Sequence, residues 1–346
     1  MNTASSIGVL LLNLGTPDDP SVPAVRRYLR EFLSDPRVID LPKLARWLLL
    51  NMLILPFRPR QSAAAYQKIW TEQGSPLLVN SEQLKNELGA ALGARYHVAL
   101  GMRYGNPSID SAVEMLKQQH CDYLIVLPLF PQYSSAATGS ALEKTMEVIR
   151  NHWNIPKLIL CNDFYDHPGF IAAQANVIQE HLADFSPDHL IFSYHGLPEH
   201  HITKSECAAH ACTRREACPG VENHNRYCYR AQCFATSNLL AKALNLSSDQ
   251  FSVSFQSRLG RTPWIKPYTD FVLPELIERN FNNIAVVCPS FAADCLETLE
   301  EMGIRAREQW QRLGGKRFEL IPCLNAHPKW VKVVAEMIGE LTLNSC

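Results

Sequence analysis

Two stretches of this chain read alike: GVLLLNLGTP, Gly8 to Pro17, and HLIFSYHGLP, His189 to Pro198. Each is an apolar run of strand length that closes on a glycine and a proline, the pattern of a buried strand delivering its chain into a tight loop. The echo continues in the same order. GMRYGNP (Gly101 to Pro107) is matched by QSRLGRTP (Gln256 to Pro263), and LIVLPLF (Leu124 to Phe130) by IAVVCPSF (Ile284 to Phe291). Three strand-to-loop junctions repeated in order imply two similar halves. The offsets between echoes are unequal, so the first half carries extra sequence around an apolar run near residue 50, and the second around Glu199 to Tyr229.

Working outward, the remaining strand candidates are His97 to Met102, Lys157 to Cys161, Phe251 to Gln256 and Phe318 to Leu324, beside Ile7 to Leu14, Tyr123 to Phe130, His189 to Tyr194 and Asn283 to Cys288. Amphipathic patterns fill most of the gaps: Pro107 to Gln119, Gly139 to Asn151, Pro168 to Leu182, Arg230 to Leu244, Cys295 to Met302 and His327 to Leu341. Strands alternating with helices predict an α/β fold of two similar halves, each a parallel sheet covered by helices. We divide the chain at 1–150, with an apolar lip at about 43–60, and 151–326, with a Cys-rich insertion at about 199–233. Residues 327–346 form a C-terminal helix, whose return to the first half the pattern leaves open. Ligands of open α/β sheets sit beyond the carboxyl ends of the strands, so the expected active site is a cleft between facing halves.

The 346 residues carry 33 basic and 34 acidic side chains and are 47% hydrophobic, which excludes a disordered chain and an electrostatic nucleic-acid binder. The start, MNTASSIGVLLLNLG, has no basic region before its apolar stretch and does not read as a signal peptide. With an odd count of 11 cysteines, this favours the reducing cytoplasm, where clustered cysteines serve metals or redox chemistry more often than disulfides.

Trp47 to Phe57, WLLLNMLILPF, is apolar except at Asn51 and is flanked by Lys43, Arg46, Arg58 and Arg60. It is too short for a bilayer span, which takes about 20 residues. An interfacial segment or greasy lip over a pocket and a helix packed into the core are both compatible with it.

His195 follows an apolar strand directly, in SYHGLP, where an imidazole would stand at the sheet's carboxyl edge. An unperturbed imidazole titrates near 6.5, so a histidine there suits proton acceptance or metal binding at neutral pH. In CPSFAADCLETLEEM, Asp294, Glu297 and Glu301 fall at i, i+3 and i+7, on one face of the expected helix. A helix dipole explains an acid in the first turn but not Glu301 two turns in, so the row suits a cation route or proton relay. Arginine or lysine pairing from elsewhere is the other explanation.

Five of the cysteines crowd into ECAAHACTRREACPGVENHNRYCYRAQC: Cys207, Cys212, Cys218, Cys228 and Cys233, spaced C-x4-C-x5-C-x9-C-x4-C. Four thiolates suffice for a [2Fe-2S] cluster or a zinc site, and His210 and His224 keep zinc open. Spacing does not say which cysteine is spare; Cys207 and Cys233 are the two that could drop out.

The ordered motifs LLNLGTP, GMRYGNP, PQYSSAATGS, SYHGLP, FQSRLGRTPWIKPYTD and DCLETLEE resemble those of ferrochelatases from about Ile7 to beyond Ile321. The resemblance implies two Rossmann-like halves, each a doubly wound parallel sheet, facing across a cleft that binds protoporphyrin, and a lyase that inserts ferrous iron, the last step of haem synthesis. It implies that His195 binds metal or takes pyrrole protons, that Glu297 is its carboxylate partner, and that Asp294 and Glu301 form an acidic track behind. By the same resemblance Leu14, Arg103, Tyr104 and Trp264 line the porphyrin pocket, while Ser75 and Arg58 meet propionates. The lip would cover the porphyrin and touch the membrane peripherally, and burying about 200 Å² of macrocycle would supply on the order of 5 kcal/mol. Other haem-pathway proteins are the expected protein partners. Cys295 stands where some relatives have histidine, and Ser135 where animal ferrochelatases have the first cysteine of their cluster. The Cys-rich segment instead resembles the internal cluster segment of some bacterial ferrochelatases. A coproporphyrin or cobalt chelatase of the same fold, and a non-catalytic porphyrin-binding or redox-sensing protein, are the competing readings.

Overall fold

A computed structural model describes residues 6–205, 218, 220–260 and 262–343. They divide into two compact units. The first comprises the described residues through Phe130, Ser135–Asp163 and the chain from Asn325 onward; the second comprises Pro131–Ser134 and Phe164–Leu324.

In chain order the first stretch contains β1 (Ile7–Thr16), α1 (Val22–Ser34), α2 (Lys43–Leu48), α3 (Leu55–Ile69), α4 (Pro76–Leu92), β2 (Tyr96–Gly105), α5 (Ile109–Gln118), β3 (Tyr123–Pro128), α6 (Ser140–Ile149) and β4 (Lys157–Leu160). It continues with α7 (Pro168–His181), β5 (His189–His195), α8 (Glu199–Lys204), α9 (Tyr229–Ala243), β6 (Phe251–Gln256), α10 (Thr269–Glu278), β7 (Asn283–Val287), α11 (Arg307–Arg312), β8 (Arg317–Leu320) and α12 (Pro328–Leu343). Each unit holds one four-stranded parallel sheet, ordered β2-β1-β3-β4 in the first and β6-β5-β7-β8 in the second. The same strand order twice is what the repeated junctions imply.

β1 and β5 are central strands covered on both faces, which is why they read as unbroken apolar runs rather than alternating ones. Leu10, Leu12 and Val126 pack against Ile109, Val113 and Leu116 of α5 and Leu142 of α6. Correspondingly, Ile191 and Val286 pack against Leu273 and Leu276 of α10 and Trp310 of α11. Each such side chain is worth about 1.5–3 kcal/mol when fully buried. Gly15 is fixed by close approach: its φ is +116°, and a Cβ there would lie 1.8 Å from the Tyr104 carbonyl oxygen.

The fourth strand of each half feeds a helix through a His-Pro pair, DFYDHP ahead of α7 and CLNAHP ahead of α12, a fourth echo that the sequence analysis missed. His167 accepts from the Gly169 N–H at 3.2 Å, and His327 from the Lys329 N–H at 3.3 Å. The unit boundary falls just before this helix in both halves. α7 therefore belongs to the second unit, packing on α9, and α12 to the first, packing on α4. The boundary is at Asp163 rather than 150, because the helix after β4 buries its apolar face in the second unit.

Three segments widen into π-helix, which is rare in proteins and concentrates at functional sites. They are Leu49–Ile54 in the apolar run, Ser135–Gly139 in PQYSSAATGS and Glu297–Ala306 in the acidic segment. The core-helix alternative for Trp47 to Phe57 is overturned: Leu50 and Leu55 are buried, but Trp47, Met52, Leu53 and Phe57 are more than half exposed. No helix among the described residues is long and apolar enough to cross a membrane.

Candidate active site

His195 ends β5, half-buried, with its backbone clamped from two sides. Its N–H donates to Ser290 Oγ at 3.1 Å, and its carbonyl accepts from Tyr229 Oη at 2.8 Å. The ring lies 6.4 Å from that of Trp264 and 6.3 Å from that of Phe291. Nδ1 sits 2.6 Å from the Gly196 carbonyl oxygen, so Nδ1 carries the proton and Nε2 is the basic nitrogen. Gly196 has a different role from a left-handed turn: the Gln256 carbonyl oxygen would be 2.8 Å from any Cβ placed there. Trp264 is held by its indole N–H on the Leu259 carbonyl at 2.9 Å.

The acidic segment departs from expectation. The helix does not include Asp294, so the three acids are not one row on a shared face. Asp294 is buried in the preceding turn and accepts from Thr298 Oγ1 at 2.9 Å and from the Cys323 N–H at 3.3 Å. Through the Thr298 hydroxyl it ties the first turn of the helix to the chain just after β8. Glu297 and Glu301, four residues apart on the π-helix, remain. Glu301 accepts from the Ser257 N–H at 2.8 Å and from Ser257 Oγ at 2.5 Å. Glu300 points into the interior and pairs with Arg305 at 2.7 Å.

This region is short of positive charge. Burial raises the Glu301 carboxyl and Glu297 adds to the rise, against the opposing effects of Ser257, Arg305 and His195. Among the described residues no lysine or arginine pairs with Glu297, and Arg305 reaches Glu301 only at 3.8 Å. Three buried thiols register the same field. Burial pushes all three up, Cys288 further by Asp294 and Glu301, Cys295 by Glu297, and Cys323 by Asp294. A basic nitrogen beside under-neutralised carboxylates can take protons and receive a cation.

The first unit's predicted residues are arranged otherwise. Arg103 and Tyr104, at the end of β2, both turn to Asp35, by Nη2 at 2.7 Å and Oη at 2.9 Å, and Arg103 also donates to Ser140 Oγ at 2.6 Å. Burial tends to raise Asp35, but hydrogen bonds from Ser140, the Arg37 N–H and Tyr104, with the charge of Arg103, hold its carboxyl below the usual range. Tyr104 is fully buried, its ring against that of Phe32; burial and Asp35 push its phenol well up. Ser75 is also buried, its oxygen accepting from Thr16 Oγ1 at 2.8 Å, so it is not open to a propionate in this conformation. Leu14 and Arg58 are both half-buried, in β1 and α3. Asp35 and Ser140 were missed because SDP reads as a helix stop and Ser140 as one small residue among several.

Of the Cys-rich segment, Cys207 and Cys212 lie outside the described residues. Cys228 and Cys233 are buried at the start of α9, and Cys218 is half-buried. Burial raises Cys233, and both Cys228 and Cys218 add to that rise. Among the described residues no three histidine, cysteine or acidic side chains converge to hold a metal ion.

The sequence profile of ferrochelatases matches residues 6–341. A ferrochelatase of Coxiella burnetii is 56% identical over 333 residues, covering 96% of this chain and 93% of its own; one of Legionella pneumophila is 55% identical over 333 residues, covering 96% and 98%. The chain belongs to the ferrochelatase family. SirB from Bacillus subtilis with Fe3+ superposes with a TM-score of 0.56 at 11% identity, over 98% of this chain and 97% of its own. The sirohydrochlorin chelatase SirB from its subspecies spizizenii, in complex with cobalt, gives 0.56 at 9%, over 98% and 96%. At such identities the likeness is one of fold: the ferrochelatase chain shares the chelatase architecture.

Proposed function

We propose that this chain is a ferrochelatase in activity as in family, a lyase that inserts Fe(II) into protoporphyrin IX to give protohaem. The observation that carries the reading is the grouping of His195, Glu297 and Glu301 at the carboxyl edge of the second sheet. Metallation places a dication in the macrocycle and releases two pyrrole protons. His195 Nε2 is the base presented to the first, and Glu297 is the carboxylate that meets the metal or the second proton. Glu301 extends the acidic path. Asp294 is left out of the track, its carboxylate being used by Thr298 and Cys323. Trp264, its ring tilted 6.4 Å from that of His195, is a wall for an aromatic substrate, and Leu14 and Arg58 are the contacts for ring and propionate that the family resemblance implies. Arg103 acts through Asp35 and Ser140, holding the ends of β2 and α6.

Relatives at 55–56% identity are ferrochelatases, which does not favour a cobalt or coproporphyrin chelatase or a sensor. Metal choice does not rest on raw affinity, since nitrogen and oxygen ligands bind neighbouring divalent ions as tightly, so zinc and cobalt should also be inserted in vitro. The test is anaerobic insertion followed by loss of porphyrin fluorescence, with His195→Ala and Glu297→Gln alongside. Tight porphyrin binding without turnover would overturn the reading in favour of a sensor.

The exposed lip, with Trp47, Met52, Leu53 and Phe57 outward, supports peripheral membrane contact through which an apolar substrate arrives and by which other haem-pathway proteins meet the chain. For the Cys-rich segment we favour a [2Fe-2S] cluster, with zinc the alternative, held by four of the five thiolates. The donor set fits in chemistry, since four thiolates suffice for either group. Cys233, with no exposure and packed near Tyr194 and Tyr229, is the best candidate for the spare. Such a cluster would supply one-electron redox capacity. Visible absorbance lost in Cys218→Ser would support it, and a colourless protein with one zinc would refute it.

A further inference from the structure

The first polar residues of FQSRLGRTPWIKPYTD reach the acidic helix directly. Gln256, buried at the end of β6, donates from Nε2 to the Glu297 carbonyl at 2.8 Å, while its Oε1 accepts from Ser193 Oγ at 2.8 Å. With both ends of its amide engaged, its orientation is fixed. Ser257, the next residue, spends its backbone N–H on one Glu301 carboxylate oxygen and its hydroxyl on the other. Its φ is +67°. The other described non-glycine residues with positive φ are His120, Asn245, Asn280 and Asn325, the residue types that tolerate that region. Serine is the exception, and a chain that only had to turn would use glycine or asparagine. Left-handed backbone at a functional edge is strain kept for what it positions. Glycine would supply the same N–H without the strain; what it lacks is the hydroxyl.

We propose that the Gln256–Ser257 pair is a positioning element for the chelatase reaction, Gln256 fixing the backbone at Glu297 and Ser257 clamping the Glu301 carboxylate through a strained turn. This rests on the function proposed above. The pair lets one strand end set two glutamates that lie one wide helical turn apart. Neither residue touches the reacting atoms; both act through the acids.

The deciding variant is Ser257→Gly, which keeps the turn and the N–H and removes only the hydroxyl. We expect its unfolding temperature to equal or exceed that of the parent, while kcat/KM for ferrous iron falls about tenfold, the cost of one hydrogen bond to a charged group, with KM for porphyrin unchanged. In a Glu301→Gln background the same substitution should add nothing. Parental kcat/KM in Ser257→Gly, or an equal loss in both backgrounds, would overturn the proposal, because the hydroxyl would then be acting elsewhere. Gln256→Met, similar in size but without the donor, should also lower the rate for iron. If the parent itself lacks turnover, the functional reading fails but the positioning remains testable. A crystal structure of Ser257→Gly with Glu301 displaced would support the clamp, and an unmoved carboxylate would refute it.

Discussion

The polar edges of the two sheets make an instructive pair, since both lie beyond corresponding strands and both are rich in charge. In the first unit the charge is closed on itself: Asp35 receives Arg103, Tyr104 and Ser140, and Arg37 adds its own pairs to Glu143 and Ser135. In the second, among the described residues no lysine or arginine pairs with Glu297, and Arg305, 3.8 Å from Glu301, makes its close bond to Glu300 instead. A saturated network rigidifies, because every member would lose a partner on moving. An under-neutralised one costs stability and holds chemical potential for a cation. On the proposed function, one fold thus carries a structural edge and a reactive edge, separated by how the charges are paired.

The largest effect that would test this contrast is on rate. His195→Ala, or Glu297→Gln, should lower iron insertion by about 10²–10⁴-fold with folding and porphyrin binding retained, read by anaerobic kinetics and fluorescence titration. Retained turnover would remove the reactive label from the second edge. The converse substitution, Asp35→Asn, leaves Arg103 partly buried beside a neutral group and should cost about 3 kcal/mol in urea unfolding. Unchanged stability would show the first edge not to be structural.

A second comparison lies within β5, which has a histidine at each end. His189 is buried and stacked 5.2 Å from Phe281; burial, then Arg279, lowers it to about 4. Between about 6.5 and 4 the unfolded chain binds a proton that the native chain refuses, so stability falls as pH drops through that window, by up to about 3 kcal/mol. His189→Phe should flatten that slope in urea titrations at pH 7 and pH 5; an unchanged slope would assign it to other groups. The smallest effect is at Glu301. Its raised carboxyl pKa means that ionisation in the fold is costly, so this group's contribution falls as pH rises above the ordinary carboxylate range. Glu301→Gln should therefore leave stability at pH 8 unchanged or about 1 kcal/mol higher while slowing insertion. A clear loss of stability would make Glu301 as structural as Asp35.

Much of the fold is legible in sequence because parallel strands buried on both faces leave unbroken apolar runs, and because the junctions after β1, β2 and β3 recur after β5, β6 and β7. The His-Pro starts of α7 and α12 were equally legible and were overlooked. The site was partly legible: His195 stands at a strand end, and Glu297 and Glu301 lie on the helix after β7. Asp294 was misread because an i, i+3, i+7 rule presumes α-helical turns, and the segment is a π-helix that starts three residues later. The partners of Tyr104 and Ser75, Asp35 and Thr16, were not legible, because resemblance to a motif does not say which way a side chain turns.

Sequence alone determined the family, the two sheets, and the residue types available for proton and metal chemistry, since apolar pattern and motif order are local properties of the chain. Tertiary structure decided which acids are paired and which are not, which helix each unit receives after its fourth strand, and which hydroxyl meets Glu301. Those depend on the approach of residues far apart in sequence, Asp35 to Arg103 and Ser257 to Glu301, and on burial that gives each charge its cost.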